Sequence, residues 1–252
     1  MAAHADEYAR FAAYYDALLN PFLDRVRERV ARICRGHGAA RVVDVCCGTA
    51  RQAVFLQRHG IACVGADLSF SMLKAGAGPD KSACEQTDAR ACMGPDTRTP
   101  GRAAAGEPAR DGAGSGKRLP GLVLADAVRL PFADNAFDAA LLSFALHEKP
   151  RGTAHAIFAE ALRVAPLCII TDYTMAERNL ELPGQWLMAV PERLVGGEHW
   201  RNYRMFMQSG AVQGLLFRTS GVRLLHREHL FMGGAGIFVL EREEAGQEPA
   251  LQ

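Results

Sequence analysis

Val42-Val43-Asp44-Val45-Cys46-Cys47-Gly48-Thr49-Ala50 is the stretch that decides the fold of this chain. A β-type apolar run, a strand over Arg41 to Cys46, carries an acid and passes into a turn of small residues. The next residues, Arg51-Gln52-Ala53-Val54-Phe55-Leu56, read as a helix. Strand, tight turn and helix in that order aim the helix's unpaired N–H groups above the sheet edge, where a nucleotide-like ligand is held. A second apolar run, Ile61-Ala62-Cys63-Val64-Gly65-Ala66-Asp67, also ends in an acid. That position suits a ribose diol, because one carboxylate accepts from two hydroxyls at once.

Upstream, about Asp6 to Arg35 reads as two helices broken at Asn20-Pro21, with Leu23, Val26, Val30 and Ile33 at helical spacing in the second. Downstream, Ser69 can cap a short helix through Lys74 that Gly76 stops. Residues 77–120 are dominated by Gly, Pro, Ala, Arg, Asp and Ser, and read as a flexible surface insertion without a core. Strands resume at Leu122 to Asp126 and Phe137 to Ser143. A helix over Thr153 to Val164 and a strand over Leu167 to Asp172 follow. A polar, Arg-rich connection leads to a helix from about Glu198 to Phe217 and two last strands, Val222 to Leu230 and Gly236 to Glu241. Alternation of this kind predicts an α/β fold. It is a doubly wound, mostly parallel seven-stranded sheet with helices on both faces and an antiparallel last strand, a Rossmann-like arrangement. One domain is expected over 1–242, with an N-terminal helical cap at 1–38, a substrate lid region at 173–218 and a disordered tail at 243–252.

The chain has 252 residues, 49% of them hydrophobic, which suffices for one large core. A formal charge of +1 gives no basic field to attract nucleic acid or an anionic membrane. No apolar stretch is long enough to span a bilayer, so no integral membrane contact is expected, and no secretory signal is visible. The seven cysteines are scattered, several in apolar runs (Cys46, Cys63, Cys168), with no Cys-x-x-Cys pair and no His at ligand spacing. They read as reduced core thiols rather than a metal site, which suits a cytoplasmic enzyme.

A dinucleotide binder and an S-adenosylmethionine binder both use such a strand–turn–helix. The dinucleotide fingerprint wants glycine at turn positions held here by Cys46, Gly48 and Arg51, and Arg51 is too bulky for the packing glycine. That departure disfavours a pyrophosphate. The chain resembles the class I S-adenosylmethionine-dependent methyltransferases, within them the small-molecule branch that includes the ubiquinone/menaquinone C-methyltransferases. The resemblance rests on Val42 to Ala50, Gly65 to Leu73, Ala125 to Phe132, and Asp134-Asn135-Ala136-Phe137-Asp138 with its strand. It implies S-adenosylmethionine as cofactor. Asp44, Cys46 and Gly48 would lie beneath its methionine portion. Asp67, with Leu68 beside it, would hold the ribose. Asp126 and the Ala127 N–H would meet the adenine, and Ser143 the amino-acid end. The family usually has glycine where Cys46 and Ala50 stand.

His147, with Glu148, follows the fourth strand, where open α/β sheets place ligands. It is a candidate general base or polarising donor, and equally a loop histidine bonded to backbone. Tyr14, Tyr15 and Asp16 lie on the N-terminal helix that the resemblance places over the cofactor. An aromatic ring there would face a sulfonium cation. Tyr173, His199, Arg201, Tyr203 and Arg204 are candidate substrate contacts, with Arg201 and Arg204 suited to an acidic group. Part of that aromatic set keeps helical spacing and is equally core. The expected activity is in-line methyl transfer to a small-molecule acceptor. A nicotinamide oxidoreductase and a non-catalytic cofactor-binding subunit are the alternatives.

Overall fold

The computed structural model describes residues 23–76 and 121–243. The helical cap is therefore seen only from residue 23 on. Tyr14, Tyr15, Asp16, the 77–120 insertion and all but Glu243 of the tail lie outside the described residues.

Helix α1 spans 23–36 and presents Val26, Val30 and Cys34 to the core. Strand β1 (Arg41–Val45), helix α2 (Arg51–Arg58), strand β2 (Ala62–Asp67) and helix α3 (Phe70–Gly76) follow. Ser69 caps α3 as its sequence suggested, its Oγ accepting from the Met72 N–H at 3.4 Å. Next come β3 (Gly121–Leu124), β4 (Ala139–Ser143), α4 (Arg151–Val164) and β5 (Leu167–Tyr173), all buried in β5. The sheet order is β3-β2-β1-β4-β5-β7-β6, where β6 is Val222–Leu230 and β7 is Ala235–Arg242. The first five strands are parallel, and β7 runs antiparallel to both β5 and β6.

Successive side chains on a strand point to opposite faces, so the continuous apolar runs of β1, β4 and β5 feed two cores. Val43, Val45, Leu142 and Ile170 pack on one side with Phe158 of α4. Val42, Leu141 and Ile169 pack on the other with Val30 and Leu56. This is the doubly wound arrangement expected. Arg163 of α4 donates to the backbone oxygens of Leu130 and Phe132 and pairs with Asp134 and Glu160. Glu160 in turn accepts from the Leu130 N–H at 2.7 Å, which fixes the loop leaving β3 against the sheet.

Two expectations need correction. The polar connection after β5 contains a helix, α5 (Leu182–Val195), entered at Pro183 and carrying Pro191 inside it. The single helix expected over Glu198 to Phe217 is two, α6 (Gly197–Gln208) and α7 (Ala211–Phe217). They break at Gly210, whose φ of +95° belongs to the region glycine tolerates best.

Candidate functional site

Strand order reverses between β1 and β4, and ligands of open α/β sheets settle outside the carboxyl ends at that point. The named acids line this edge in spatial order. Asp126 follows β3, Asp67 ends β2, and Asp44 lies on β1 beneath the turn. Asp67 is held firmly: its carboxylate accepts from the Gly48 N–H and the Ser69 N–H, both at 2.8 Å. Asp126 accepts from the Val128 N–H at 3.1 Å and is otherwise exposed, while Ala127 is buried behind it. Leu68 stands 70% exposed beside Asp67, with Leu124 and Val128 also open to solvent on the β3 side.

The turn is strained in an informative way. Cys46, Gly48 and Ala50 all adopt positive φ, at 58°, 54° and 55°. Two residues with a Cβ thus occupy a conformation costing roughly 1–2 kcal/mol each. Opposite Asp44, Gly65 leaves room for the Cys47 side chain, since a Cβ there would fall 2.8 Å from its Sγ. Asp44 itself is 1% exposed and its Oδ2 has no hydrogen-bond partner. Burial, reinforced by the charge of Asp67, pushes its carboxyl up to about 7. An orphaned buried acceptor under a turn of backbone N–H groups fits a cationic or N–H-bearing ligand fragment, such as the amino-acid end of S-adenosylmethionine.

Beyond β4 a second, buried polar cluster begins. The His147 ring nitrogen Nδ1 lies 2.8 Å from Asp172 Oδ1, and Asp172 also accepts from the N–H groups of Leu146 and Tyr173. In the neutral ring, an acid at Nδ1 fixes the tautomer whose lone pair is on Nε2. His147 Nε2 faces Glu192 Oε1 at 3.6 Å. Glu192 accepts from the Tyr173 hydroxyl and pairs with His199. Burial alone would lower His147, but the charge and hydrogen bond of Asp172, aided by Glu192, push it up to about 9. Burial likewise opposes ionisation of Glu192, yet His199, His147 and Tyr173 together hold it below the usual carboxylate range. Tyr203 closes the cluster, its ring 4.9 Å from that of Tyr173 and 6.3 Å from that of His147.

The strand–turn–helix and its ordered acids lie in a stretch that matches known proteins. Residues 43–166 match the family described as Methyltransferase domain. That stretch, just under half of the chain, is thus similar to methyltransferase domains. It is 31% identical over 147 residues to a demethylmenaquinone methyltransferase of Mycolicibacterium paratuberculosis (strain ATCC BAA-968 / K-10), covering 58% of this chain and 47% of that protein. The match thus spans about half the length of that relative. Among solved structures, the magnesium protoporphyrin IX methyltransferase of Synechocystis PCC 6803 with bound SAH superposes with a TM-score of 0.50 at 13% identity, covering 87% of this chain and 83% of that one. The [4+2]-cyclase SpnF superposes with a TM-score of 0.54 at 19% identity, covering 88% and 82%. Such identities establish the shared fold and nothing about the reaction.

The methyltransferase domain match ends at residue 166, before β5, so Asp172, Glu192 and His199 lie outside it. Of the candidate substrate residues, Tyr173 and Tyr203 are buried in the cluster and His199 sits at its edge. Arg204 lines a groove of about 530 Å³ between α5 and α6, together with Trp186, Val190, Arg193, Trp200 and Met207. Arg201 is exposed and does not line it. Ser143 ends β4 half-buried, next to Phe144 at a φ of 51°. Sequence reasoning missed Glu192, which sits on the helix taken for a connection. Pro183 at its start and Gly196-Gly197 after it were the punctuation that marks that helix.

Proposed function

We propose that this protein transfers a methyl group from S-adenosylmethionine to a small-molecule acceptor lodged between the sheet edge and helices α5 and α6. The buried, unpartnered Asp44 Oδ2 beneath the turn is the observation that carries the reading. When bound, the cofactor supplies an electrophilic methyl on sulfur. The two backbone-held oxygens of Asp67 retain lone pairs for the ribose hydroxyls, and exposed Leu68, Leu124 and Val128 offer apolar walls to a base. The order β3, β2, β1, β4 directs the methionine end towards the His147 cluster.

On the acceptor side, the neutral form of His147, which prevails only above about pH 9, takes the proton from the acceptor nucleophile at Nε2, and Asp172 holds the ring and stabilises the imidazolium. Close, aligned placement does most of the remaining work, since the leaving group is already good. The groove joins Trp186, Trp200 and Met207 with Arg193 and Arg204, which suits a flat apolar molecule bearing an acidic group. A net charge of +1 supports such an acceptor over nucleic acid. No helix of the described residues is long and apolar enough to cross a membrane. Cys34, Cys46, Cys47, Cys63 and Cys168 are free thiols, which supports placing the activity in the cytoplasm.

Calorimetry with S-adenosylmethionine, S-adenosylhomocysteine and NAD, followed by labelled-methyl transfer across a panel of aromatic and isoprenoid acids, phenols and quinols, tests the reading. Micromolar binding of the first two ligands with label in one acceptor class is expected. Tighter NAD binding would end the reading. Cofactor binding without transfer to any acceptor would favour a binding subunit or a non-methylating enzyme, and SpnF shows that this fold is not tied to methyl transfer.

A further inference from the structure

One ligand atom each from His147, Glu148 and His199 lies within 4.8 Å of the others. The three residues come from two elements. His147 and Glu148 leave β4, and His199 sits on the first turn of α6. The two elements are already joined, since the Asn202 side-chain amide of α6 donates to the Glu148 backbone oxygen at 2.8 Å. We propose that this triad binds one borderline divalent transition cation, of which zinc is the natural probe, stapling α6 to the sheet edge and withdrawing His147 from proton transfer.

The arrangement has the features such a site needs. Asp172 occupies Nδ1 of His147 at 2.8 Å, the carboxylate–histidine pairing that orients a ligating imidazole and raises its basicity. Two imidazoles and a carboxylate favour zinc, cobalt, nickel or iron(II) over magnesium or calcium, which prefer oxygen alone. Charge closes as well: with both imidazoles neutral, the carboxylates of Glu148, Glu192 and Asp172 balance a dication and the Lys149 ammonium. Glu192 lies against both histidines, at 3.6 Å from His147 Nε2 and paired to His199, so it stands ready as a fourth ligand or an outer partner. Lys149, 3.8 Å from Glu148, is the competing cation on the solvent side. Ligand distances of about 2.0–2.2 Å require the three atoms to draw together, a movement that the Glu148 side chain, mostly but not fully buried, can supply.

Metal binding needs nothing from the methyl-transfer reading. The loss of proton transfer does rest on His147 being the base. The untagged, chelator-treated full chain is titrated with cobalt(II), followed by visible absorption, and with zinc by calorimetry and melting temperature. His199→Ala and Glu148→Gln are run alongside, with S-adenosylhomocysteine affinity as the check on folding. One-to-one binding, a rise in melting temperature, and a loss of affinity of roughly tenfold or more in Glu148→Gln are expected. Absence of one-to-one binding, or binding that both variants leave unchanged, would overturn the site. A transfer rate that stays constant as zinc saturates the protein would overturn the withdrawal of His147. Absence of transfer in the metal-free protein instead counts against the methyl-transfer reading and leaves the site standing.

Discussion

Asp44→Asn should stabilise the cofactor-free protein at pH 8 and leave it nearly unchanged near pH 4. An aspartate in the unfolded chain ionises near 3.9, whereas burial and the charge of Asp67 push Asp44 up to about 7 in the fold. The native state therefore holds a proton that the unfolded chain has lost across that interval. The stability this contributes is fully present below about pH 4 and is lost as pH rises through about 7. Three pH units correspond to about 4 kcal/mol, an upper figure because structural relaxation and water entry soften it. Asparagine keeps the shape of the protonated form without the charge, so the variant escapes this loss.

Urea midpoints of both proteins at half-unit steps from pH 4 to 8.5, without cofactor, measure the difference directly. The difference curve isolates Asp44, because His147 titrates equally in both. Cofactor should flatten the wild-type curve, since a cationic fragment at the orphaned Oδ2 compensates the ionised carboxylate, while Asp44→Asn should bind it more weakly. Parallel curves for the two proteins would refute the burial argument. A stabilised variant that binds S-adenosylmethionine as well as wild type would refute the ligand assignment of that oxygen.

Asp67→Ala removes a carboxylate that accepts from two N–H groups at the turn and should weaken cofactor binding by about 1.5–3 kcal/mol, read by equilibrium dialysis. Cys46→Gly relieves a left-handed residue at little cost in packing and should raise stability by about 0.5–1 kcal/mol by urea titration. Ala50→Gly should be near neutral, because the same relief is offset by a buried methyl worth about 0.8 kcal/mol. Arg204→Ala should raise the KM for an acidic acceptor without changing cofactor affinity, and Arg201→Ala should do neither; an equal effect of both would show that the groove between α5 and α6 is not the acceptor site.

The turn and acids of the candidate cofactor half are legible in the sequence because each element announces itself locally. Three apolar runs lead to acids at or near their ends, and the turn of small residues after Asp44 leaves few backbone options. Even there, the price of the departures from glycine emerged only from the φ values of Cys46 and Ala50. The acceptor half is different in kind. Asp172 reads as one more acid after an apolar strand, and nothing local says that its carboxylate turns back to the backbone of Leu146 and to His147, on the far side of helix α4 in the chain.

Helix α5 is harder still, because its polarity is inverted. The residues it buries are Gly184 and Glu192, while Trp186, Leu187, Val190 and Leu194 are 52–76% exposed. An amphipathic reading would turn that helix the wrong way round, and Pro191 in its interior argues against a helix at all. Both oddities have one cause. A carboxylate placed among Tyr173, His147 and His199 must enter a dry cluster, and only the polar side of α5 can deliver it there. The apolar side is then left facing the groove and the solvent beyond it, where Trp186 and Val190 line the cavity that Trp200 and Arg204 share. The feature that defeats the sequence reading is thus the one that joins the buried polar cluster around His147 to an exposed apolar groove.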